Sequence, residues 1–153
     1  MKFDCTGVIL AGGKNRRLPG EKKAFRKIGD EMILETIQQL FSRLFKEVII
    51  VVNEPKEFAR WDMTVVTDII PSRCALAGLH AGLFYASCPH AYVTACDTPF
   101  VNQSVVEYIL SSIRPGYDVI IPRTDDGLET LFAVYSKACI PLIEKNLEKN
   151  IFM

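Results

Sequence analysis

The sequence predicts an α/β protein whose mostly parallel sheet carries helices on both faces. Short apolar runs rich in β-branched residues alternate along the chain with segments of helical periodicity, which is the pattern of such sheets. Four of these runs stop at residues suited to contact a ligand, namely glycine, asparagine or aspartate. Because ligands of open α/β sheets bind outside the carboxyl ends of the strands, these four ends are the first candidates for a site.

Length and composition favour one ordinary globular domain, spanning residues 1–153. No apolar run reaches the length of a membrane span and no signal peptide precedes the first strand, so we expect a cytoplasmic protein. The formal net charge is zero, which gives no reason to expect nucleic acid or an anionic membrane as a partner. The five scattered cysteines form no metal-binding spacing and are expected to be reduced thiols.

The first half of the chain opens with a buried strand over residues 5–11 that ends at Gly12-Gly13. A brief extended segment over 24–28 closes at a turn, and Ile33 begins an amphipathic helix of three to four turns. Residues 47–53 are apolar on both faces and predict a central parallel strand. A short helix around 55–60 and a third strand over 64–67 follow.

The second half continues the alternation of helix and strand. The helix marked by Leu76, Leu79 and Leu83 has a glycine-containing face suited to close packing on a sheet. The remaining predicted strands cover 91–95, 118–122 and 131–135, and the remaining helices begin near Val105 and Pro141.

A strongly basic segment follows the first strand. Seven of the eighteen basic residues of the chain fall between positions 14 and 27, namely Lys14, Arg16, Arg17, Lys22, Lys23, Arg26 and Lys27. Glycines that let backbone N–H groups approach a ligand, followed by cationic side chains, are what a polyphosphate needs. A solvated basic loop explains the composition of the segment alone equally well.

Two common phosphate-binding motifs are excluded by their spacing. A P-loop needs glycine where Arg17 or Leu18 stands, and the dinucleotide fingerprint needs a third glycine that is absent after Gly12-Gly13. What remains is a cationic loop and a carboxylate, Asp97, at a strand end. These are the parts that nucleotidyl transfer requires, because a carboxylate holds Mg²⁺ at the phosphates while cations neutralise pyrophosphate.

Five ordered segments resemble the molybdenum cofactor guanylyltransferase family. They are Leu10-Ala-Gly-Gly13 with Arg16, Gly20 and Lys23; Val52-Asn53; Thr67-Asp68 with Leu76-Ala-Gly-Leu79; Cys96-Asp-Thr-Pro-Phe100; and Glu129-Thr-Leu-Phe-Ala-Val-Tyr135. The resemblance implies a Rossmann-like fold of the nucleotide-diphospho-sugar transferase type. It also implies transfer of GMP from GTP to a molybdopterin-type cofactor with Mg²⁺, and transient contact with other cofactor-biosynthesis proteins.

The resemblance also assigns roles residue by residue. Nucleoside contacts are implied for the Leu10, Ala11, Gly12 and Gly13 backbone and for Asn53 and Asp68. Phosphate contacts are implied for Arg16 and Lys23, and the metal for Asp97. Within the family Gly12 is associated with GTP, whereas alanine at that position is associated with CTP.

Several alternatives remain open at this stage. Asn53 and Asp68 also fit ordinary turns, and Asp97 fits a helix N-cap. Family members continue past the point that corresponds to Met153, so we expect this chain to lack a C-terminal segment that faces the pterin. The competing functions are a cytidylyl or sugar-nucleotide transferase on the same fold, and a non-catalytic nucleotide-binding module.

Overall fold

The fold is described from a computed structural model that covers residues 1–12, 23–72 and 74–152. Its centre is a six-stranded sheet. The strands are β1 (Phe3–Leu10), β4 (Phe45–Val51), β5 (Thr64–Val66), β6 (His90–Ala95), β7 (Val119–Ile120) and β10 (Phe132–Ser136). Across the sheet they lie in the order β5-β4-β1-β6-β10-β7. Four neighbours, β5 to β6, run parallel, whereas β10 is antiparallel to both β6 and β7. The predicted fold class is thereby confirmed.

Two small hairpins and four helices complete the described elements. The hairpins pair β2 (Lys27–Ile28) with β3 (Glu31–Met32) and β8 (Arg123–Thr124) with β9 (Gly127–Leu128). The helices are α1 (Ile33–Leu44), α2 (Ala75–Tyr85), α3 (Gln103–Ser111) and α4 (Ile140–Glu148). Short 3-10 turns lie at Lys23–Phe25, Pro55–Phe58 and Lys137–Cys139. None of the described helices combines the length and apolar character needed to cross a membrane.

The sheet has one hydrophobic core on each face. On one side α1 and α3 bury Ile37, Phe41 and Val106 against the sheet, where Phe41 meets the ring of Tyr92 edge-on with centroids 5.7 Å apart. On the other side α2 and α4 cover the sheet through residues such as Leu83 and Ile143. Apolar side chains of β1 and β4 alternate between these two cores, which explains why both strands read as continuous apolar runs.

The glycines of helix α2 allow it to pack closely against the sheet. A Cβ on Gly82 would stand only 2.6 Å from Cγ1 of Val8 on β1, so a larger residue would displace the helix or the strand. The close packing predicted for this helix is confirmed.

Several element boundaries differ from the sequence prediction, and three of these differences have a local structural reason. Residues 23–25 form a 3-10 turn, so the extended segment expected over 24–28 shrinks to Lys27–Ile28. Strand β4 starts at Phe45, two residues early, because α1 ends directly in a buried residue that already pairs with Phe3. Strand β7 is two residues long instead of five, since it pairs only with Val134 and Tyr135 of β10.

Candidate nucleotide-binding site

The carboxyl ends of the four parallel strands form one continuous edge. Along it lie Asp68 after β5, Asn53 after β4, Gly12 after β1 and Asp97 after β6. With strands about 4.8 Å apart, the edge from Asp68 to Asp97 spans roughly 14 Å. An extended nucleotide, with its base at one end and its phosphates at the other, suits an edge of this kind.

Backbone hydrogen bonds continue past the regular strands and fix these ends. The N–H of Ala11 donates to the carbonyl of Val51 at 2.8 Å, and the N–H of Cys96 donates to the carbonyl of Leu10 at 3.0 Å. Strands β4 and β5 are added on one side of β1, and β6 is then added on the other side. The point at which the strand order reverses, the topological switch point, therefore lies between β1 and β6. Gly12 and Asp97 flank this crevice.

Gly12 and Asn53 lie in contact. The side-chain Oδ1 of Asn53 is 3.0 Å from the position that a Cβ on residue 12 would take. A glycine therefore leaves room for the Asn53 amide directly over the end of β1. The exposed amide offers both a donor and an acceptor to a ligand lying on this edge.

Asp68 is half-buried at the far end of the edge. Burial raises the pKa of its carboxyl above the ordinary value, and the nearby His80 opposes this shift. A raised folded-state pKa means that the charged carboxylate destabilises the fold at neutral pH and that this cost declines as the pH falls. A ligand that donates hydrogen bonds to Asp68 would compensate for the lost solvation.

Asp97 faces two cations from the segment that precedes the β2–β3 hairpin. Its Oδ2 lies 3.7 Å from Nζ of Lys23 and 3.9 Å from Nη1 of Arg26. Both distances exceed hydrogen-bonding contact, so the cations neutralise the carboxylate without a close bond to this oxygen. All three side chains are partly exposed, and such pairs are weak, about 0–1 kcal/mol. The cations are therefore free to move towards an incoming anion.

The position of the cations depends on the residues between them. Ala24 is buried in the core, and the ring of Phe25 stacks on Phe58 with centroids 5.3 Å apart. The carbonyl of Arg26 accepts a hydrogen bond of 2.9 Å from the N–H of Ile33, the first residue of α1. These contacts anchor Lys23 and Arg26 beside the end of β6.

The structure thus brings together the predicted residues Leu10, Ala11, Gly12, Asn53, Asp68, Lys23 and Asp97 along one edge of the sheet. Gly13 and Arg16 lie outside the described residues. The alternative role of Asp97 as a helix cap is excluded, because α3 is capped by Asn102, whose Oδ1 accepts from the N–H groups of Ser104 and Val105. The functional ligand roles of the predicted site residues remain predictions.

Arg26 belongs to the basic segment but has no role among those predicted from the sequence. Only the turn at Lys23–Phe25 and the following hairpin bring Arg26 to Asp97. The sequence signal for this approach is that Arg26 stands three residues after Lys23, because that spacing puts both side chains on the same side of a short 3-10 turn.

The described residues contain no group of three or more His, Cys, Asp or Glu side chains arranged to hold a metal ion. Magnesium does not require such a cage, because it commonly binds one or two carboxylates together with substrate phosphates and water. Asp97, at the switch point and without a close bond from the neighbouring cations to Oδ2, fits this role.

Comparison with known proteins places the chain in a family. A model described as "MobA-like NTP transferase domain" matches residues 7–151. A molybdenum cofactor guanylyltransferase from Desulfosudis oleivorans is 38% identical over 145 residues, covering 95% of this chain and 72% of the relative. The chain belongs to the MobA-like NTP transferase family. The resemblance seen in the sequence is confirmed.

A second curated relative supports the family assignment, and a solved structure supports the fold. A probable molybdenum cofactor guanylyltransferase from Pelotomaculum thermopropionicum is 40% identical over 148 residues, covering 97% of this chain and 71% of the relative. The crystal structure of molybdopterin-guanine dinucleotide biosynthesis protein A from Archaeoglobus fulgidus superimposes with a TM-score of 0.82. That alignment covers 97% of this chain and 75% of the neighbour at 24% identity, which supports the fold.

Proposed function

We propose that the protein transfers GMP from GTP to a molybdopterin-type acceptor and releases pyrophosphate. The observation that carries this proposal is the edge formed by Asp68, Asn53, Gly12 and Asp97 across the switch point of the sheet. The family membership and the names of the curated relatives support the choice of reaction. We further propose that residues 1–153 act as one nucleotidyltransferase domain.

The nucleoside lies on the β5–β4–β1 part of the edge in this proposal. Asp68 accepts hydrogen bonds from the amino and ring N–H groups of guanine, and the amide of Asn53 contacts the nucleoside above Gly12. A half-buried carboxylate suits guanine because two adjacent donors of the base match its two oxygens. Cytosine presents only its exocyclic amino donor on the corresponding edge.

The phosphates lie over the β1–β6 crevice, close to Lys23 and Asp97. A phosphate oxygen of the acceptor attacks the α-phosphorus of GTP, a new P–O bond forms, and the bond to the β-phosphate bridging oxygen breaks. The bonding electrons leave with pyrophosphate. Because the acceptor phosphate is already an anion, this step needs no general base, and positioning together with charge neutralisation supplies the catalysis.

Asp97 is the proposed protein ligand of Mg²⁺, which would supply charge neutralisation between the nucleotide phosphates and the attacking oxygen. Lys23 and Arg26 then turn from the carboxylate to the triphosphate. Their long distances to Asp97, 3.7 and 3.9 Å, support this exchange of partners. Arg16 is the further cation proposed for the phosphates.

A nucleotide panel tests the proposal. Calorimetry of the full-length protein with GTP, CTP, ATP and UTP, each with Mg²⁺, is expected to show the tightest binding for GTP. Pyrophosphate release is expected only when a molybdopterin acceptor is added. Preference for CTP would instead support a cytidylyltransferase, and GTP binding without release in the presence of the acceptor would support a nucleotide-binding module.

A further inference from the structure

Phe100 is exposed and strained three residues after Asp97. Its side chain is 83% exposed, and its backbone φ is +57°. A bulky residue in the left-handed region is a conformational outlier, and such outliers cluster at ligand-binding and catalytic sites. With so little of the ring buried, packing within the described part of the chain does not account for the placement of this aromatic residue.

A cavity of about 110 Å³ adjoins Phe100. The β2–β3 hairpin contributes Ile28 and Glu31 to its lining, α1 contributes Thr36 and Ile37, and the loop after Asp97 contributes Thr98 and Phe100. The lining is mostly apolar, with one carboxylate and two hydroxyl groups. An apolar concavity with a few polar groups is the usual character of a small-molecule site.

We propose that Phe100 and this cavity bind the flat ring system of the acceptor. The inference rests on the proposed function, because the acceptor phosphate must reach the phosphates beside Asp97 while its ring lies elsewhere. Thr98 follows Asp97 directly and lines the cavity, so a ring held there stays within reach of the reacting phosphates. Phe100 provides the stacking face, and Glu31 accepts hydrogen bonds from the amino and ring N–H groups of a pterin.

The size of the cavity defines how much of the ring it holds. A dry cavity of ~150 Å³ accommodates a benzene molecule. The cavity beside Phe100 is smaller, so it takes one edge of a bicyclic heterocycle while the rest of the ring lies against the exposed phenyl group.

In this proposal the guanine of GTP binds near Asp68, away from the cavity beside Phe100. Asp68 follows β5 and lies near His80 of α2, whereas the cavity is bounded by α1 on the opposite face of the sheet. The two heterocycles therefore approach Asp97 from different directions. This arrangement lets the enzyme hold both substrates at once, as transfer between two phosphates requires.

Phe100→Gly separates this role from stability. Glycine adopts positive φ without strain, and little packing is lost with an exposed ring. We expect an unchanged or higher Tm together with an increase of about tenfold in the acceptor KM, while the KM for GTP stays constant. Phe100→Ala should raise the acceptor KM equally, and Phe100→Tyr should restore it. Tyr108→Ala, which removes another exposed aromatic side chain from α3, is the matched control and should change neither KM.

A binding assay provides a readout without turnover. The fluorescence of 6-hydroxymethylpterin monophosphate should be quenched by the full-length wild-type protein and by Phe100→Tyr, but about tenfold less effectively by Phe100→Gly. Glu31→Gln should weaken binding of this pterin more than binding of the corresponding lumazine, which lacks the amino group but keeps the ring N–H.

The outcomes distinguish the two proposals. Normal transfer in the wild type with an unaltered acceptor KM in Phe100→Gly and Phe100→Ala would overturn the ring subsite alone. Absence of transfer in the wild type would overturn the proposed function. In that case quenching that depends on Phe100 would still support the pterin subsite, and quenching that does not would reject it.

Discussion

Carboxylates at the amino and carboxyl ends of the parallel strands have different surroundings. Near the amino end, Glu47 on β4 accepts hydrogen bonds to Oε2 from Thr6 Oγ1 at 2.8 Å, from the N–H of Ser87 at 2.9 Å and from Ser87 Oγ at 3.0 Å. At the carboxyl end, the nearest cation to Asp97 is 3.7 Å away among the described residues. Glu47 accepts three close hydrogen bonds, whereas the ion pairs of Asp97 within the described residues are all 3.7 Å or longer.

The pKa shifts follow this contrast. Burial would raise the pKa of Glu47, but the hydrogen bonds from Ser87 and Thr6 outweigh it and lower the pKa. For Asp68 burial dominates and the pKa is raised. The amino end therefore stabilises the charged form of its carboxylate, whereas burial at the carboxyl end disfavours the charged form of Asp68. This difference supports the proposal that Glu47 serves the fold and Asp68 serves ligand binding.

The largest expected effect comes from Asp97→Asn. The amide removes the negative charge proposed for the metal, so we expect pyrophosphate release to fall by at least ~100-fold. Because the carboxylate makes only weak contacts with Lys23 and Arg26, the Tm should stay within a few degrees. Pyrophosphate release at the wild-type rate would rule out the proposed metal ligand.

Lys23→Ala should have the next largest effect. Removing this cation should weaken binding of GTP about tenfold but leave guanosine binding nearly unchanged, because guanosine carries no phosphate. Calorimetry with both ligands measures the difference. Lys27→Ala, on the exposed β2 strand, is the matched control and should leave both affinities unchanged. Equal losses for the two ligands would argue against a phosphate contact of Lys23.

Glu47→Gln tests the opposite end of the sheet. We expect a loss of about 1 kcal/mol in the free energy of unfolding at pH 7, with GTP affinity unchanged. The pKa of Glu47 is lowered in the folded state, so the stability that its charge contributes is fully present above the ordinary pKa of 4.5. That contribution to the free energy of unfolding is lost as the pH falls through the folded-state pKa. Urea titrations at pH 7 and at pH 3 measure the difference in the free energy of unfolding between the wild type and the variant. An equal difference at both pH values would contradict a stabilising role of the Glu47 charge.

Gly12→Ala should produce the smallest effect. The new methyl group lies 3.0 Å from Oδ1 of Asn53 and must shift the amide by a few tenths of an ångström, so we expect a several-fold loss of GTP affinity. Gly78→Ala is the control, because its Cβ would make an ordinary contact of 3.4 Å with Leu10. A comparable loss of GTP affinity in the control would show that the effect does not arise from Asn53.

Much of the fold was predictable because the signals are local. The apolar runs of β1, β4 and β6 and the periodicity of α1 each lie within a dozen residues. The antiparallel direction of β10 was not predictable in this way, because it depends on pairing with β6 some forty residues earlier.

The site was predictable to a similar degree. Asn53, Asp68 and Asp97 stand where their strands end, so the rule for α/β sheets locates them. The approach of Arg26 to Asp97 depends instead on the stacking of Phe25 on Phe58, a contact between distant segments that no periodicity reveals. The left-handed backbone of Phe100 gives no compositional signal, since such residues usually avoid that conformation.

The pairing of β1 with both β4 and β6 also determines when the site can exist during synthesis. Leu10 and Val51 become neighbours early, but Leu10 pairs with Ala95 only after the chain has grown through β6. A nascent chain on the ribosome can therefore assemble one wall of the crevice well before Asp97 emerges. A nucleotide that requires both walls cannot stabilise the pairing of β1 with β4 in the nascent chain, so that pairing must form without the nucleotide.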